Sequence, residues 1–151
     1  MEDIWIEIML NSDPYTIINL SHVLKLQTDN HFWKMKFEKD QLPIFGDPKT
    51  LREWVQEYNN IETAQQRALD YLQCIKNESI VVDTYYVKYQ SLNLTQSILN
   101  QLSLYDKIKI EFYDNHYHLS CRLLDCFLST MTLDRKSLLL LLTYFIYSNV
   151  L

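Results

Sequence analysis

The fold class is decided by residues 47–75, which read DPKTLREWVQEYNNIETAQQRALDYLQCI. Apolar residues recur at helical spacing in the first half of this stretch and form one face, at Leu51, Trp54, Val55 and Tyr58. A second such face follows in the latter half, at Ala64, Ala68, Tyr71, Leu72 and Ile75. We predict two helices, the first starting at the Asp47-Pro48 cap and the two separated by a break at Asn59-Asn60.

Three shorter helical patterns precede this stretch. The first carries an apolar stripe over residues 4–9, and the second starts at Asp13-Pro14, where a capping carboxylate precedes a proline whose missing N–H costs nothing. Asp29 or Asn30 caps the third, which covers one side with aromatic residues. The only glycine and two of the three prolines occur in 42–48. We therefore predict a helical module over residues 1–45 and an α+β segment over residues 46–151, packed together as one unit.

The rest of the chain mixes strand and helix patterns. β-branched and aromatic residues predict a strand over 79–90, and a short helix is expected over 95–104. Alternation over 107–113 and 116–121 predicts a hairpin, because Asp114-Asn115 between them tolerates positive φ. A further helical stripe is expected at Leu123, Leu124, Phe127 and Leu128. The expected fold is α+β and mainly α, with a small antiparallel sheet.

The C-terminal helix, expected from Asp134 to about Asn149, is apolar on nearly every side. Asp134 or Thr132 can cap it, and such a helix has to be surrounded by other side chains. Two arrangements satisfy this requirement: burial within one chain, which we favour, or pairing with its symmetry mate in a homodimer. The apolar run from Ser137 to Leu151 is shorter than the roughly 20 residues that cross a bilayer, so no membrane span is expected.

Composition excludes several function classes. Nineteen Asp and Glu against 14 Lys and Arg give a net charge of −5, without the basic footprint that nucleic-acid binding needs. P-loop and Rossmann nucleotide sites need several glycines, and Gly46 is the only one. Three cysteines in a chain that opens without a secretory leader predict free thiols in an intracellular, reducing compartment, the cytoplasm or nucleus.

Four potential metal ligands occur close together at His116, His118, Cys121 and Cys126. In a strand, His116 and His118 share one face while Cys121 points to the other, so the four do not converge. No spacing in the chain forces two carboxylates, or a cysteine and a histidine, into one pocket. We therefore expect no metal, no cofactor, no catalytic residue and no enzymatic activity.

Residues 1–45 resemble an F-box-like domain, a small three-helix module that docks onto the Skp1 adaptor of ubiquitin ligases. The similarity lies in the acidic, isoleucine-rich opening MEDIWIEIM (1–9), in Asp13-Pro14 followed by an apolar stretch that ends at Val23-Leu24-Lys25, and in DNHFWK (29–34). The string FWKMKFEKD (32–40), with Trp54 and Tyr58 downstream, most resembles F-box-like proteins of large DNA viruses of the marseillevirus kind.

The resemblance implies a protein partner, such as host Skp1, and an apolar surface that binds it. The candidate residues are Ile4, Trp5, Ile8, Met9, Pro14, Val23, Leu24 and Trp33. Three short helices cannot bury every face they carry, so we expect a partly exposed patch formed by Ile4, Trp5, Ile8, Met9, Pro14 and Val23. The alternative is that the C-terminal helices cover these residues. A second contact surface is expected from amphipathic tyrosines, at Tyr85, Tyr86, Tyr89, Tyr113 and Tyr117.

Two functions remain open at this point. In the first, the chain is a noncatalytic adaptor of a large DNA virus that recruits a host Skp1-type ubiquitin ligase to a target. In the second, it is a virion-associated or structural viral protein that acts through protein contacts or oligomerisation without Skp1. The N-terminal pattern favours the first function, and the absence of substrate-holding repeats favours the second.

We predict that the purified protein carries no stoichiometric zinc, because strand geometry keeps the two imidazoles and the Cys121 thiol on opposite faces. Elemental analysis after purification without chelators measures this directly. A stoichiometric amount of zinc that is retained through dialysis would contradict the prediction.

Overall fold

The computed structural model describes residues 1–90 and 92–151. The chain forms two compact units, residues 1–62 and residues 63–151, and the division between them falls inside a long helix. The predicted boundary at 45/46 lies in the loop that precedes this helix.

The first unit contains α1 (Glu2–Leu10), α2 (Pro14–Leu24), α3 (Asn30–Lys39) and the beginning of α4 (Leu51–Ile75). The predicted caps of α2 and α3 are in place. Asp13 accepts a hydrogen bond from the Thr16 amide at 3.0 Å, and Asp29 accepts one from the Phe32 amide at 2.8 Å. The hydrogen bonds from the Thr16 side chain and amide lower the pKa of Asp13, so the cap is ionised at neutral pH.

The helix α4 runs without interruption, so the predicted break at Asn59-Asn60 is wrong. An asparagine costs a helix only about 0.7 kcal/mol or less. One buried face continues across the pair, from Tyr58 and Ile61 to Ala64 and Ala68. Burial of that face outweighs the weak local preference of two asparagines.

The start of α4 also differs from the prediction, which placed it at Asp47-Pro48. Thr50 Oγ1 accepts from the Glu53 amide at 3.2 Å, and the Glu53 carboxylate accepts from the Thr50 amide at 3.2 Å. This reciprocal pair is a capping box. Asp47 instead forms an exposed ion pair with Lys49 at 2.7 Å.

The second unit contains the rest of α4, an antiparallel sheet and two helices among the described residues. The strands are β1 (Ile80–Asp83), β2 (Lys107–Tyr113), β3 (His116–Leu123) and β4 (Cys126–Leu133), in the order β1-β2-β3-β4. The helices are α5 (Gln96–Ser103) and α6 (Arg135–Tyr147). This arrangement confirms the α+β, mainly α fold class, and α5 lies where a short helix was predicted.

The hairpin of β2 and β3 is confirmed. Asp114 and Asn115 adopt φ values of 50° and 60°, and the pairing puts Tyr113 opposite His116. The inward face of the hairpin is fully buried at Ile108, Ile110 and Leu119. The alternating pattern therefore marks which side of these strands meets the core.

The strand predicted over 79–90 is much shorter, because β1 ends at Asp83. Its partner β2 begins at Lys107, directly opposite Asp83, so the following residues have no strand to pair with. The chain turns there: the Thr84 amide donates to the Asp106 carbonyl at 2.7 Å, and the Val87 amide donates to the Thr84 carbonyl at 3.1 Å.

The helix predicted around Leu123 to Leu128 is absent, and this segment forms a second hairpin that leads into β4. Leu124 and Asp125 adopt φ values of 51° and 62°, which a right-handed helix does not allow. Cys121 pairs with Ser129 and Arg122 pairs with Phe127, so Leu128 is the extra residue of a β-bulge. The apolar spacing in this segment thus belongs to a turn and two strands.

The helix α6 is capped by Asp134, whose carboxylate accepts from the Ser137 amide at 2.7 Å. That hydrogen bond lowers the pKa of Asp134. Leu138 and every residue over 141–146 are buried within the chain, which confirms the favoured arrangement for this helix. Tyr144 donates its hydroxyl hydrogen bond to the Lys88 carbonyl, and Tyr89 packs edge-on against Phe145 with ring centroids 6.3 Å apart.

We predict that Leu142→Ala lowers the free energy of unfolding by about 2–5 kcal/mol, because Leu142 is fully buried and truncation leaves a cavity. Leu140→Ala is the matched control, since Leu140 lies on the same helix and is only half-buried. Its expected loss is roughly 1 kcal/mol. Chemical denaturation of both variants measures the difference, and equal losses would show that α6 is not enclosed as described.

Candidate protein-interaction surfaces

An apolar stripe on α1 is exposed. Ile4 and Ile8 lie one helical turn apart and are 63% and 41% exposed, and Met1 precedes them on the same side. Glu2, Asp3 and Glu7 flank this stripe, and the last turn of α1 holds no basic residue. We call Met1, Ile4 and Ile8 the α1 stripe.

The opposite side of α1 is anchored in the first unit. Met9 is 1% exposed and Trp5 is half-buried, and α1 contacts both α2 and α3. Helix α1 is therefore held by one face and presents the other to solvent.

A buried lysine fixes the end of α1 to α3. Lys36 is 3% exposed, and its ammonium donates to the Leu10 carbonyl at 2.9 Å while pairing with the Asp40 carboxylate at 2.7 Å. The Tyr58 hydroxyl donates to the same carboxylate at 2.6 Å, and the ammonium lies 5.4 Å from the Tyr58 ring centroid. Burial and the hydrogen bond to Asp40 raise the pKa of Tyr58, so the phenol remains a donor at neutral pH.

An aromatic cluster lies beneath this network. Trp33 stacks on Trp54 with ring centroids 6.4 Å apart and planes 8° from parallel, and Phe37 meets both Trp54 and Tyr58 edge-on. The Trp54 indole N–H donates to Asn30 Oδ1 at 2.9 Å. These contacts lock α3 against the first half of α4.

The structure divides the candidate adaptor-binding residues into three groups. Ile4, Ile8 and Val23 are exposed, with Val23 77% exposed on α2, while Trp5 and Leu24 are half-buried. Met9, Pro14 and Trp33 are buried, so their assignment as contact residues is corrected. Met9, Pro14 and Trp33 face the interior because α1 packs against α2 and α3.

The tyrosine surface is smaller than expected. Tyr85 and Tyr86 are 68% and 87% exposed in the turn after β1, with ring centroids 4.7 Å apart. Tyr113 is exposed and stacks on His118 at 3.6 Å between centroids. Tyr89 and Tyr117 are buried, and their assignment is corrected because their rings pack against Phe145 and Phe112 in the core of the second unit.

The sequence interpretation missed an exposed apolar hairpin tip. The sequence predicts a helical stripe for its residues, but they lie at the β3–β4 turn and are 40% to 81% exposed: Leu123, Leu124, Phe127 and Leu128. A usable signal is the alternation of hydroxyl and apolar residues over 130–133, which is typical of a strand.

An open groove of about 630 Å³ lies in the first unit and is lined by side chains of α2 and α4, including Ile18, Leu51 and Val55. Its polar lining consists of Arg52, Gln56, Asn59 and Asn60. No carboxylate, imidazole, thiol or hydroxyl is among these lining residues of the described chain, so the groove offers no proton-transfer group.

The potential metal ligands are arranged as strand geometry requires. His116 and His118 lie on the outer face of the sheet, whereas Cys121 is buried on the inner face, and Cys126 is exposed. Burial raises the pKa of the Cys121 thiol to about 11, so this thiol is neutral at physiological pH. Within the described chain, His, Cys, Asp and Glu side chains form no group of three or more suited to a metal ion.

Comparison with protein-family models, with curated proteins and with solved structures finds no match to this chain. Among the helices of residues 1–90 and 92–151, none combines the length and apolar character needed to cross a membrane.

We predict that Lys36→Met lowers the free energy of unfolding by roughly 3 kcal/mol, because it leaves the Asp40 carboxylate without its cation and the Leu10 carbonyl without its donor. Lys34→Met is the control, since Lys34 is exposed on the same helix, and its expected effect is below about 0.5 kcal/mol. Urea titration of both variants gives the two values. A Lys36→Met protein as stable as the control would show that this network does not hold α1 in place.

Proposed function

We propose that this protein is a noncatalytic protein-interaction adaptor of the F-box-like kind, which docks a Skp1-type partner through the α1 stripe inside an infected host cell. The observation that carries the proposal is the exposure of Ile4 and Ile8 on a helix whose other face is anchored by Met9 and by the Lys36 network. Exposed apolar side chains gathered on one face commonly mark an interaction site.

The charges around the α1 stripe indicate what kind of partner surface would bind it. Glu2, Asp3 and Glu7 are exposed beside Ile4 and Ile8. A helix with an apolar line and acidic flanks suits an apolar groove with a basic rim, because opposite charges favour the encounter and fix the orientation. Val23 and the half-buried Leu24 on α2 are further candidates for the same contact.

The pairing of a docking helix with a separate α+β unit supports an adaptor. The second unit displays its own exposed groups, the Tyr85 and Tyr86 turn and the hairpin tip, which are available for a target. The alternative is a virion-associated or structural protein that acts without Skp1, and the exposed apolar hairpin tip is the observation that favours it.

We predict that purified Skp1 binds the protein and that the double variant Ile4→Glu and Ile8→Glu loses at least about tenfold in affinity, since each substitution places a carboxylate in an apolar contact. The substitutions lie at exposed positions, so the melting temperature should stay close to that of the wild type. Isothermal titration calorimetry measures the affinity, and circular dichroism checks the fold.

The matched control is Leu104→Glu, which also introduces a carboxylate at an exposed apolar side chain but lies in the second unit, where it is 66% exposed. It should bind Skp1 as the wild type does. Equal losses of Skp1 affinity in the double variant and in Leu104→Glu would exclude the α1 stripe as the docking site. A wild-type protein that does not bind Skp1 would leave the structural or virion role as the better proposal.

A further inference from the structure

The strand β4 is an unprotected edge of the sheet. It pairs with β3 on one side only, and it is the last strand in the order β1-β2-β3-β4. Within the described chain, no backbone hydrogen bond joins β4 to any element other than β3. Half of its main-chain donors and acceptors therefore point away from the sheet without a strand partner.

The sequence of β4 contains none of the residues that usually block edge pairing. Its eight residues, CFLSTMTL, include no charge and no proline, whereas natural edge strands are protected by lysine, by proline or by their shortness. The other edge, β1, is only four residues long and ends in Asp83. The bulge at Leu128 interrupts the beginning of β4 and leaves 129–133 as a regular strand.

We propose that β4 pairs with β4 of a second copy of this chain, antiparallel and about a two-fold axis, so that one sheet continues through a homodimer. Antiparallel pairing of a strand with itself is closed by symmetry, and it satisfies the open main-chain groups of both copies at once. This interface differs from a dimer through α6, where Leu138 and the residues over 141–146 are already buried within the chain.

The charges at the two ends of β4 favour a second copy as the occupant. Asp125 precedes the strand with its side chain 78% exposed, and Arg135 and Lys136 follow it and are exposed. In an antiparallel pair the start of each strand lies beside the end of the other, so Asp125 of each copy meets the basic residues of its mate. Parallel pairing would instead place like charges together at both ends.

Four further charges lie near these ends, the carboxylates of Asp106 and Asp134 and the cations of Lys107 and Arg122, and the two signs balance in number. The Asp134 carboxylate is directed at the N-terminus of its own helix, where it accepts from the Ser137 amide and hydroxyl. Lys107 pairs with Asp125 at 2.8 Å within the chain and places another cation at the hairpin tip, near the cap of the second copy. The exposed Phe127 and Leu128 gain cover from the neighbouring chain.

The test is the oligomeric state of the full chain. We expect the wild type to show a concentration-dependent dimer in sedimentation equilibrium, and Thr130→Lys to raise the dimer dissociation constant at least about tenfold. Thr130 is exposed near the middle of β4, so the substitution sets two ammonium groups close to each other across the axis. Ser103→Lys, an exposed position at the end of α5 with the same change in charge, should dimerise as the wild type does.

Two further measurements locate the interface. Arg135→Glu should weaken the dimer while Arg135→Lys retains it, because only the first reverses the charge that meets Asp125. Hydrogen exchange of the β4 amides should slow as the protein concentration rises, and the β1 amides should not change. The proposal is overturned by a wild type that stays monomeric at high concentration, or by a dimer that Thr130→Lys leaves intact, since its interface would then lie elsewhere. The Ile4→Glu and Ile8→Glu variant should still dimerise, so this result is independent of Skp1 binding.

Discussion

One buried stripe along α4 is the constraint on which both units depend. In the first unit it presents Trp54, Tyr58 and Ile61, against which the aromatic residues of α3 pack. In the second unit it continues through small residues such as Ala64 and Ala68, which are almost fully buried. Asn59 and Asn60 stay helical because the residues on both sides of the pair, Tyr58 and Ile61, are buried.

The buried Lys36 is an unusual way to hold a short helix. Removing an ammonium from water is costly, and here the cost is offset by an ion pair with Asp40, a hydrogen bond to the Leu10 carbonyl and the nearby face of Tyr58. The carbonyl it binds belongs to the last turn of α1, where a cation also interacts favourably with the helix dipole. Helix α1 can therefore keep an apolar face in water and remain folded, since its attachment does not depend on burying that face.

The two proposed contact surfaces differ in their chemistry. The α1 stripe is helical and flanked by acids, which suits a specific groove of opposite charge. The edge of β4 is uncharged, and it would bind mainly through main-chain hydrogen bonds. Any strand could form such bonds, but the charges at the two ends of β4 favour a second copy of this chain. In the arrangement that we propose, a dimer through β4 would present two α1 stripes at once, and linked sites of this kind bind more tightly than either one alone.

The sequence alone determined the features that depend on neighbours along the chain. Asp13, Asp29 and Asp134 cap their helices, because a cap needs only one suitable side chain beside the helix start. Asp114-Asn115 makes its turn because those residues tolerate positive φ. Contacts distant in sequence decided the rest. The strand β1 stops opposite the first residue of β2, and the segment around Leu124 becomes a turn because β4 returns along β3. Met9, Tyr89 and Tyr117 are buried by elements that their local pattern does not reveal. Periodicity shows that a face is apolar, but only the packed structure decides whether the chain itself covers that face or leaves it open for another molecule.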